Sequence, residues 1–278
     1  MMKKKIYLSL ETNDCFESTT VKSFSFDNFI YPSFRLFKRD LIAQRNNSKL
    51  EMLWNLIDPI MLSLIFILLY SLNALPLEQS SIPYSFFVIS GVLLWHTIID
   101  AFLAPLGLMK KHKILLENTS VSSRVLWGSS LIRCMYTGSF RLLVIVISSV
   151  YFDISSFSAV FLYILFFYFT IFLFHSFGLL FSPFNYLSES LERVLNILLR
   201  PLFFISGIVF PLPQIDIILE FSKINFFMTS IEQSRNILIG NLENLNIWWA
   251  VHVACLFILS LIGLRLFDAS VRIVVDKT

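Results

Sequence analysis

Charged side chains are scarce in this chain and apolar side chains are abundant. Asp, Glu, Lys and Arg make up 15% of the 278 residues, whereas hydrophobic residues make up 56%. A soluble domain carries about 25% charged residues. A soluble protein of this composition could not cover its apolar surface with polar groups. The scarcity of charge therefore excludes a soluble globule, a disordered chain and a fibrous repeat, and it predicts a polytopic membrane protein.

Motifs for metal, nucleotide and hydrolytic chemistry are also missing. The three cysteines, Cys15, Cys134 and Cys255, lie far apart and match no metal-binding or redox spacing. The chain has no G-x-x-x-x-G-K-[ST] phosphate loop, no H-E-x-x-H zinc motif and no G-x-S-x-G nucleophile elbow. Residues Ile6–Asp14, after the basic N-terminus, are too polar for the apolar core of a cleaved signal peptide. We therefore expect no metal, no cofactor, no catalytic residues and no enzymatic activity.

Uncharged runs locate the membrane-spanning segments. A helix needs about 20 apolar residues to cross the bilayer core. Backbone in lipid must form a helix or a closed barrel, and these runs lack the alternating pattern of barrel strands. The predicted fold class is all-α, a polytopic membrane protein with about six transmembrane helices. The predicted spans are Trp54–Asn73, Pro83–Ala104, Leu126–Phe152, Phe157–Phe181, Val194–Phe210 and Ile247–Phe267.

The distribution of Lys and Arg predicts the orientation, because cytoplasmic loops carry an excess of these residues. Nine precede the first span, and none lies in the loop Ala74–Ile82 that follows it. Four lie after the second span, and none lies in the turn Asp153–Ser156. This alternation predicts a multi-pass protein with both termini in the cytoplasm.

Three segments outside the spans have patterns of their own. Ser33–Gln44 alternates apolar and basic residues at helical spacing, which indicates an amphipathic helix at the membrane surface or a basic topological anchor. Leu106–Arg124 is a loop long enough for a short helix. Pro211–Asn246 has apolar patches too short to span, which favours an external re-entrant helical segment between the fifth and sixth spans. We divide the chain into an N-terminal cytoplasmic extension, residues 1–32, and a transmembrane domain, residues 33–278.

An ionisable side chain inside a membrane span costs free energy, so such residues are functional candidates. Arg133 is able to pair with Asp100 or to reach the membrane surface. Arg141 lies about 12 Å deeper at the helical rise, where it either faces a polar passage and contacts substrate or forms a structural ion pair. An ion-coupled secondary transporter that uses Asp58, Asp100 and Arg141 as a relay is an alternative function. The absence of an internal repeat counts against it.

Seven stretches have a distinctive order and spacing: Leu36–Leu41, Arg45, Ser48–Trp54, Asp58-Pro59, Ser90–Trp95, Leu198–Leu212 and Ile231–Arg235. In that order and spacing they resemble type-2 ATP-binding-cassette exporter permeases that move polysaccharides. The fifth span is most similar to that of the Gram-negative group 2 capsule polysaccharide export permease. Glu51 departs from the pattern, because a glycine is usual there, and Asn225-Phe226 replaces a common Asn-Pro. Capsular, O-antigen and teichoic-acid polymers are all compatible cargo.

The resemblance implies a homodimer in the bacterial inner membrane with a passage between its two copies. A separate ATPase subunit would drive the export of a lipid-linked polysaccharide, periplasm-spanning partners would receive it, and nucleic acid would play no part. Phe and Tyr rings that line a passage would stack on the apolar faces of sugars, whereas rings that face lipid or a neighbouring helix would not, and the second role is the commoner one for any single Phe.

Four sets of candidate residues follow, the passage and interfacial sets from the ionisable, aromatic and amphipathic patterns and the coupling and gate sets from the resemblance. The substrate passage is assigned Arg141, Arg133, Phe169, Tyr168 and Trp95. ATPase coupling is assigned Lys110, Lys111, His112, Lys113, Leu115 and Glu117. The interfacial helix is assigned Arg35, Lys38 and Arg39. The external gate is assigned Pro211, Pro213, Glu232 and Arg235.

Overall fold

The computed structural model of the chain describes residues 27–47, 51–75, 82–118, 121–188, 190–211, 220–221, 223–241 and 247–276. Within these ranges the structure is helical and contains no strand, so the predicted all-α class is confirmed. A 3-10 turn, Leu179–Phe181, joins the seventh helix to the eighth. The helices are α1 (Asp27–Asn47), α2 (Glu51–Ser71), α3 (Tyr84–Leu103), α4 (Leu108–Lys111), α5 (Lys113–Asn118), α6 (Ser123–Tyr151), α7 (Phe157–Gly178), α8 (Ser182–Leu187), α9 (Leu191–Ile205), α10 (Phe226–Ile239) and α11 (Ile247–Asp276).

Five helices among the described residues are long and apolar enough to cross a membrane: α2, α3, α6, α7 with its continuation through α8, and α11. They coincide with five of the six predicted spans. Serine side chains cap the N-termini of α6 and α7. Ser122 accepts a hydrogen bond from the backbone N–H of Val125 at 3.4 Å, and Ser156 accepts one from the backbone N–H of Ala159 at 3.3 Å. Such caps satisfy backbone donors that the first helical turn leaves free.

The remaining predicted span, Val194–Phe210, differs from the expectation. Its helical part, α9, has 15 residues, a rise of about 22 Å, which is less than the bilayer core thickness. The helix ends where Gly207 adopts a left-handed backbone with φ 64°, a common helix terminator. The hydrophobic run continues past this glycine, which is why hydropathy alone predicted a longer helix.

Helix directions nevertheless show that the chain returns through this segment. α7 and α11 run side by side in the same direction, because the Phe166 ring lies 5.8 Å from the Trp249 ring and Ser260 meets the Leu173 carbonyl further along. The chain between them must therefore travel back along the bundle. α9 does so antiparallel to α3, because its Phe203 ring lies 5.9 Å from Trp95 while the carbonyl of Ile208, later in the chain, lies beside Gly91, earlier in α3. The predicted fifth span is thus a short helix followed by turns.

The predicted external segment contains α10, which packs inside the bundle against α3, α7 and α11. The Asn225 side chain caps it by accepting from the N–H groups of Phe227 and Met228, and Gly240 ends it with φ 80°. At 14 residues α10 is too short to span, in keeping with a re-entrant element. Residues 212–219, 222 and 242–246 of the predicted segment lie outside the described residues.

Helix α1 is longer than the predicted amphipathic segment and begins inside the predicted N-terminal extension. Its inner face packs along α6, where Phe29 stacks on Trp127 at 5.9 Å and Phe37 meets Tyr136 at 5.6 Å. Packing against a neighbouring helix buries apolar area that a freely lying surface helix would expose. The outer face carries the predicted basic residues Arg35, Lys38 and Arg39, all exposed.

Candidate functional site

A polar cavity of about 420 Å³ lies between α1, α2, α3, α4, α6 and the start of α9. Five of its lining residues carry formal charge: Asp40, Asp100, Lys111, Arg133 and Glu192. Hydroxyl-bearing side chains on α6 add further hydrogen-bonding groups: Ser129, Ser130 and Thr137. The cavity lies beside α4 and α5, at the end of the bundle that we call the α4–α5 end. A chamber with this lining suits a hydroxylated or charged ligand.

Arg141, on α6, contacts α2 and α3 beside the cavity. Its side chain is 3% exposed, and Nη2 lies 2.6 Å from the Asp100 carboxylate and 2.8 Å from the Asn55 carbonyl oxygen. That carbonyl is available because Pro59, four residues later, has no N–H to donate. Arg141 therefore sits in the ion pair that was one of its two expected roles. Among the described residues Asp100 forms its ion pair with Arg141 and not with Arg133, which lines the cavity.

The aromatic residues expected in the passage lie apart. Trp95 is 5% exposed and packs against Phe203 and Phe227 in the core. The Tyr168 hydroxyl bonds to the Ser139 hydroxyl at 2.8 Å, whereas the Phe169 ring is 40% exposed on the outer surface of α7. The structure does not bring these three rings to the cavity within one protomer.

Two short helices, α4 and α5, form the predicted coupling loop, and an acidic residue of α1 holds the loop. Asp40 accepts from Lys111 at 3.0 Å and lies 3.4 Å from His112 Nε2. Lys113 pairs with Glu117 at 3.7 Å along α5. Lys110 and Leu115 are half-buried. The loop is thus attached to α1 through one carboxylate.

The charges around Asp40 determine the protonation states of Asp40 and His112, which attach the loop to α1. Burial acts to raise the pKa of Asp40, but the hydrogen bond and charge of Lys111, together with His112 and Arg39, lower it below its ordinary value. Burial lowers the pKa of His112 to about 4; the Asp40 carboxylate opposes this shift, and nearby cations add to it. At neutral pH Asp40 is therefore ionised and His112 is neutral.

Two features of this region were missed from the sequence. Asp40 was not a candidate because its partners follow a whole membrane hairpin later in the chain. Ile114, on α5, is 76% exposed although it begins the apolar run Ile114–Leu116, whose last residue is 1% exposed. The sequence does not distinguish the exposed Ile114 from the buried Leu116, so this feature is visible only in the structure.

The residues expected at the external gate have different surroundings. Arg235, 8% exposed, donates to the carbonyls of Gly207 at 2.9 Å and Ile208 at 2.8 Å and lies over the Phe87 ring at 3.5 Å. It thereby clamps α10 to the end of α9 and to α3. Glu232 and Pro211 are exposed, and Pro213 lies outside the described residues.

Within the described ranges, no group of three or more His, Cys, Asp or Glu residues is placed to hold a metal ion. A comparison with curated proteins finds no match. The family model described as ABC-2 type transporter matches residues 33–239, most of the chain. The matched region runs from α1 through α10 and includes the charged residues that line the cavity. The chain belongs to the ABC-2 type transporter family.

Proposed function

We propose that this chain is the permease of an ATP-driven exporter of lipid-linked, capsular polysaccharide. The observation that carries the proposal is the family match across the helices that enclose the polar cavity. An ABC permease works with an ATPase subunit, which accounts for the absent phosphate loop. The polysaccharide cargo rests on the resemblance of Leu198–Leu212 and its neighbouring segments to polysaccharide exporters. Two copies would sit in the bacterial inner membrane with both termini cytoplasmic.

The α4–α5 end has the features expected of an ATPase docking face. Exposed cations and the exposed Ile114 project from α4 and α5, while Leu116 is 1% exposed and anchors the loop. The Asp40–Lys111 ion pair connects the loop to α1. A push on α5 would therefore be transmitted to α1 and to the wall of the cavity.

The lining of the cavity suits the first contact with the cargo. Arg133 is a cation without a described ion-pair partner, and the hydroxyls of Ser129 and Thr137 lie around it. Guanidinium groups bind phosphate and carboxylate oxygens through paired hydrogen bonds. A lipid phosphate or an acidic sugar entering from the α4–α5 end would find in Arg133 a lining cation that none of the described carboxylates neutralises.

Deletion of the gene tests the cargo directly. We expect surface polymer to disappear and polymer carrying its lipid anchor to accumulate inside the cell, because synthesis continues without export. Complementation with the wild-type gene is the control. Normal surface polymer in the deletion strain, together with an unaltered intracellular pool, would refute the polysaccharide assignment.

A further inference from the structure

Two charges of opposite sign lie within the predicted spans Trp54–Asn73 and Val194–Phe210 and have no ion-pair partner among the described residues of the protomer. Asp58 on α2 and Arg200 on α9 are both exposed, and neither takes part in the ion pairs formed there. By contrast, Asp100 and Arg141 neutralise each other at 2.6 Å. A charge inside the bilayer is expensive and normally pairs or faces water. Because both side chains are exposed, whatever neutralises Asp58 and Arg200, whether water or an opposite charge, lies beyond the protomer surface.

The two charges lie at nearly the same depth. Tyr70 of α2 packs on Tyr84 of α3 at 4.4 Å, and the helices run antiparallel, so Asp58 is level with His96. Phe203 of α9 packs on Trp95, which places Arg200 about one turn further along α3. At the helical rise the two charges differ in depth by about 3 Å, within the reach of an arginine side chain.

Both charges sit on exposed helix faces. The neighbours of Asp58 include Ile57 at 38%, Met61 at 52% and Ile65 at 51% exposure. The face of α9 that carries Arg200 also carries Ile197 at 58% and Phe204 at 54% exposure, together with the exposed Asn196 and Arg193. The α9 face is thus basic and the α2 face carries the acid Asp58, so the two faces are opposite in charge and Asp58 and Arg200 match in depth.

We infer that a second copy of the chain packs its α9 face against the α2 face of the first, so that Asp58 of each copy pairs with Arg200 of the other. A twofold axis makes such an interface self-complementary and creates two pairs at once. Within one protomer α2 meets the segment that follows α9 where Phe66 packs on Phe210, yet the two charges stay unpaired. The inference rests on the proposed homodimer and specifies its contact.

Cysteine cross-linking tests the contact. In a background where Cys15, Cys134 and Cys255 are replaced by serine, D58C and R200C are placed on two differently tagged, co-expressed copies in membranes. We expect a disulfide-linked dimer only when both variants are present. The matched control pairs R200C with L165C, because Leu165 on α7 is 54% exposed and lies outside the proposed contact.

The outcomes separate the contact from the homodimer itself. A disulfide within a doubly substituted chain, without covalent dimer, would overturn the inference by placing the pair inside one protomer. Absence of cross-linking in a protein whose native mass is that of a dimer would overturn the contact and leave the homodimer intact. A native mass of one chain would instead defeat the homodimer of the proposed function.

Charge reversal gives an independent readout. D58R and R200D should each raise the dissociation constant of the dimer about tenfold or more, since like charges would then face each other. The double variant D58R/R200D should restore it to within about threefold. The double neutral variant D58N/R200Q, compared for folding by its melting temperature, controls for loss of the fold. Additive weakening in the double reversal would contradict the pair.

Discussion

At the scale of single residues, glycine marks a close approach between helices that no composition rule reveals. A Cβ built on Gly178, at the end of α7, would lie 2.7 Å from Pro105 Cγ and would also collide with the Phe102 carbonyl oxygen. A Cβ built on Gly107 would meet nothing within 4 Å. The end of α3 therefore packs against α7 only because position 178 has no side chain.

We expect Gly178→Ala to lower the free energy of unfolding by about 1–3 kcal/mol, the usual cost of overpacking. Gly107→Ala should leave it unchanged within about 0.5 kcal/mol. Thermal unfolding of both variants in the same detergent measures the difference. Equal melting temperatures would show that α7 and α3 do not approach as closely as described.

Arg141 shows how a proline on one helix creates a site for a side chain on another. Pro59 leaves the Asn55 carbonyl without its helical donor, and Arg141 supplies one at 2.8 Å. Because Asp100 is half-exposed, Arg141→Ala should cost about 2 kcal/mol, below the range for fully buried pairs. In a Pro59→Ala background the backbone regains an N–H that donates to the Asn55 carbonyl, so the cost should fall by about 1 kcal/mol.

A double-mutant cycle on thermal or denaturant unfolding measures this coupling. Arg141→Lys is the matched variant, since it keeps the charge but not the paired hydrogen bonds, and it should fall between wild type and Arg141→Ala. Strict additivity of the Arg141 and Pro59 substitutions would refute the shared carbonyl.

At the scale of elements, the attachment of the coupling loop to α1 is predicted to depend on pH. The folded-state pKa of His112, about 4, lies below its ordinary value near 6.5, so the unfolded chain binds a proton first as the pH falls. The contribution of His112 to the free energy of unfolding is therefore complete above pH 6.5, and it is lost as the pH falls from about 6.5 to 4. His112→Asn should flatten the stability profile in this window by about 1–3 kcal/mol.

Unfolding midpoints measured from pH 4 to pH 8 in wild type and His112→Asn provide the comparison. Asp40, whose pKa is lowered by Lys111 and its neighbours, loses its contribution only at still lower pH, so the two groups are separable. An identical slope in both proteins between pH 6.5 and 4 would exclude His112 as the cause.

Hydropathy predicted which segments form helices better than it predicted which residues of different helices contact each other. Long uncharged runs predicted α2, α3, α6, α7 and α11, because the bilayer demands apolar length whatever the packing. The short α9 was not predicted, since the apolar run continues beyond the turn at Gly207. The ion pairs Asp40–Lys111 and Asp100–Arg141 join residues that only the packed bundle brings together, and charge patterns in sequence carry no such information.

At the scale of the whole molecule, the chain belongs to a transporter family, and the ATPase docking that we propose at the α4–α5 end is testable through one exposed residue. We expect Ile114→Ser to reduce co-purification of the ATPase subunit at least about fivefold, since a central apolar contact dominates such interfaces. The melting temperature of the permease should stay unchanged because Ile114 is 76% exposed. The matched control is Phe157→Ser, 91% exposed at the opposite end of the bundle, which should retain the ATPase. Affinity capture of the tagged permease with its native ATPase measures both variants. Equal capture by Ile114→Ser and wild type would place the docking face elsewhere on the molecule.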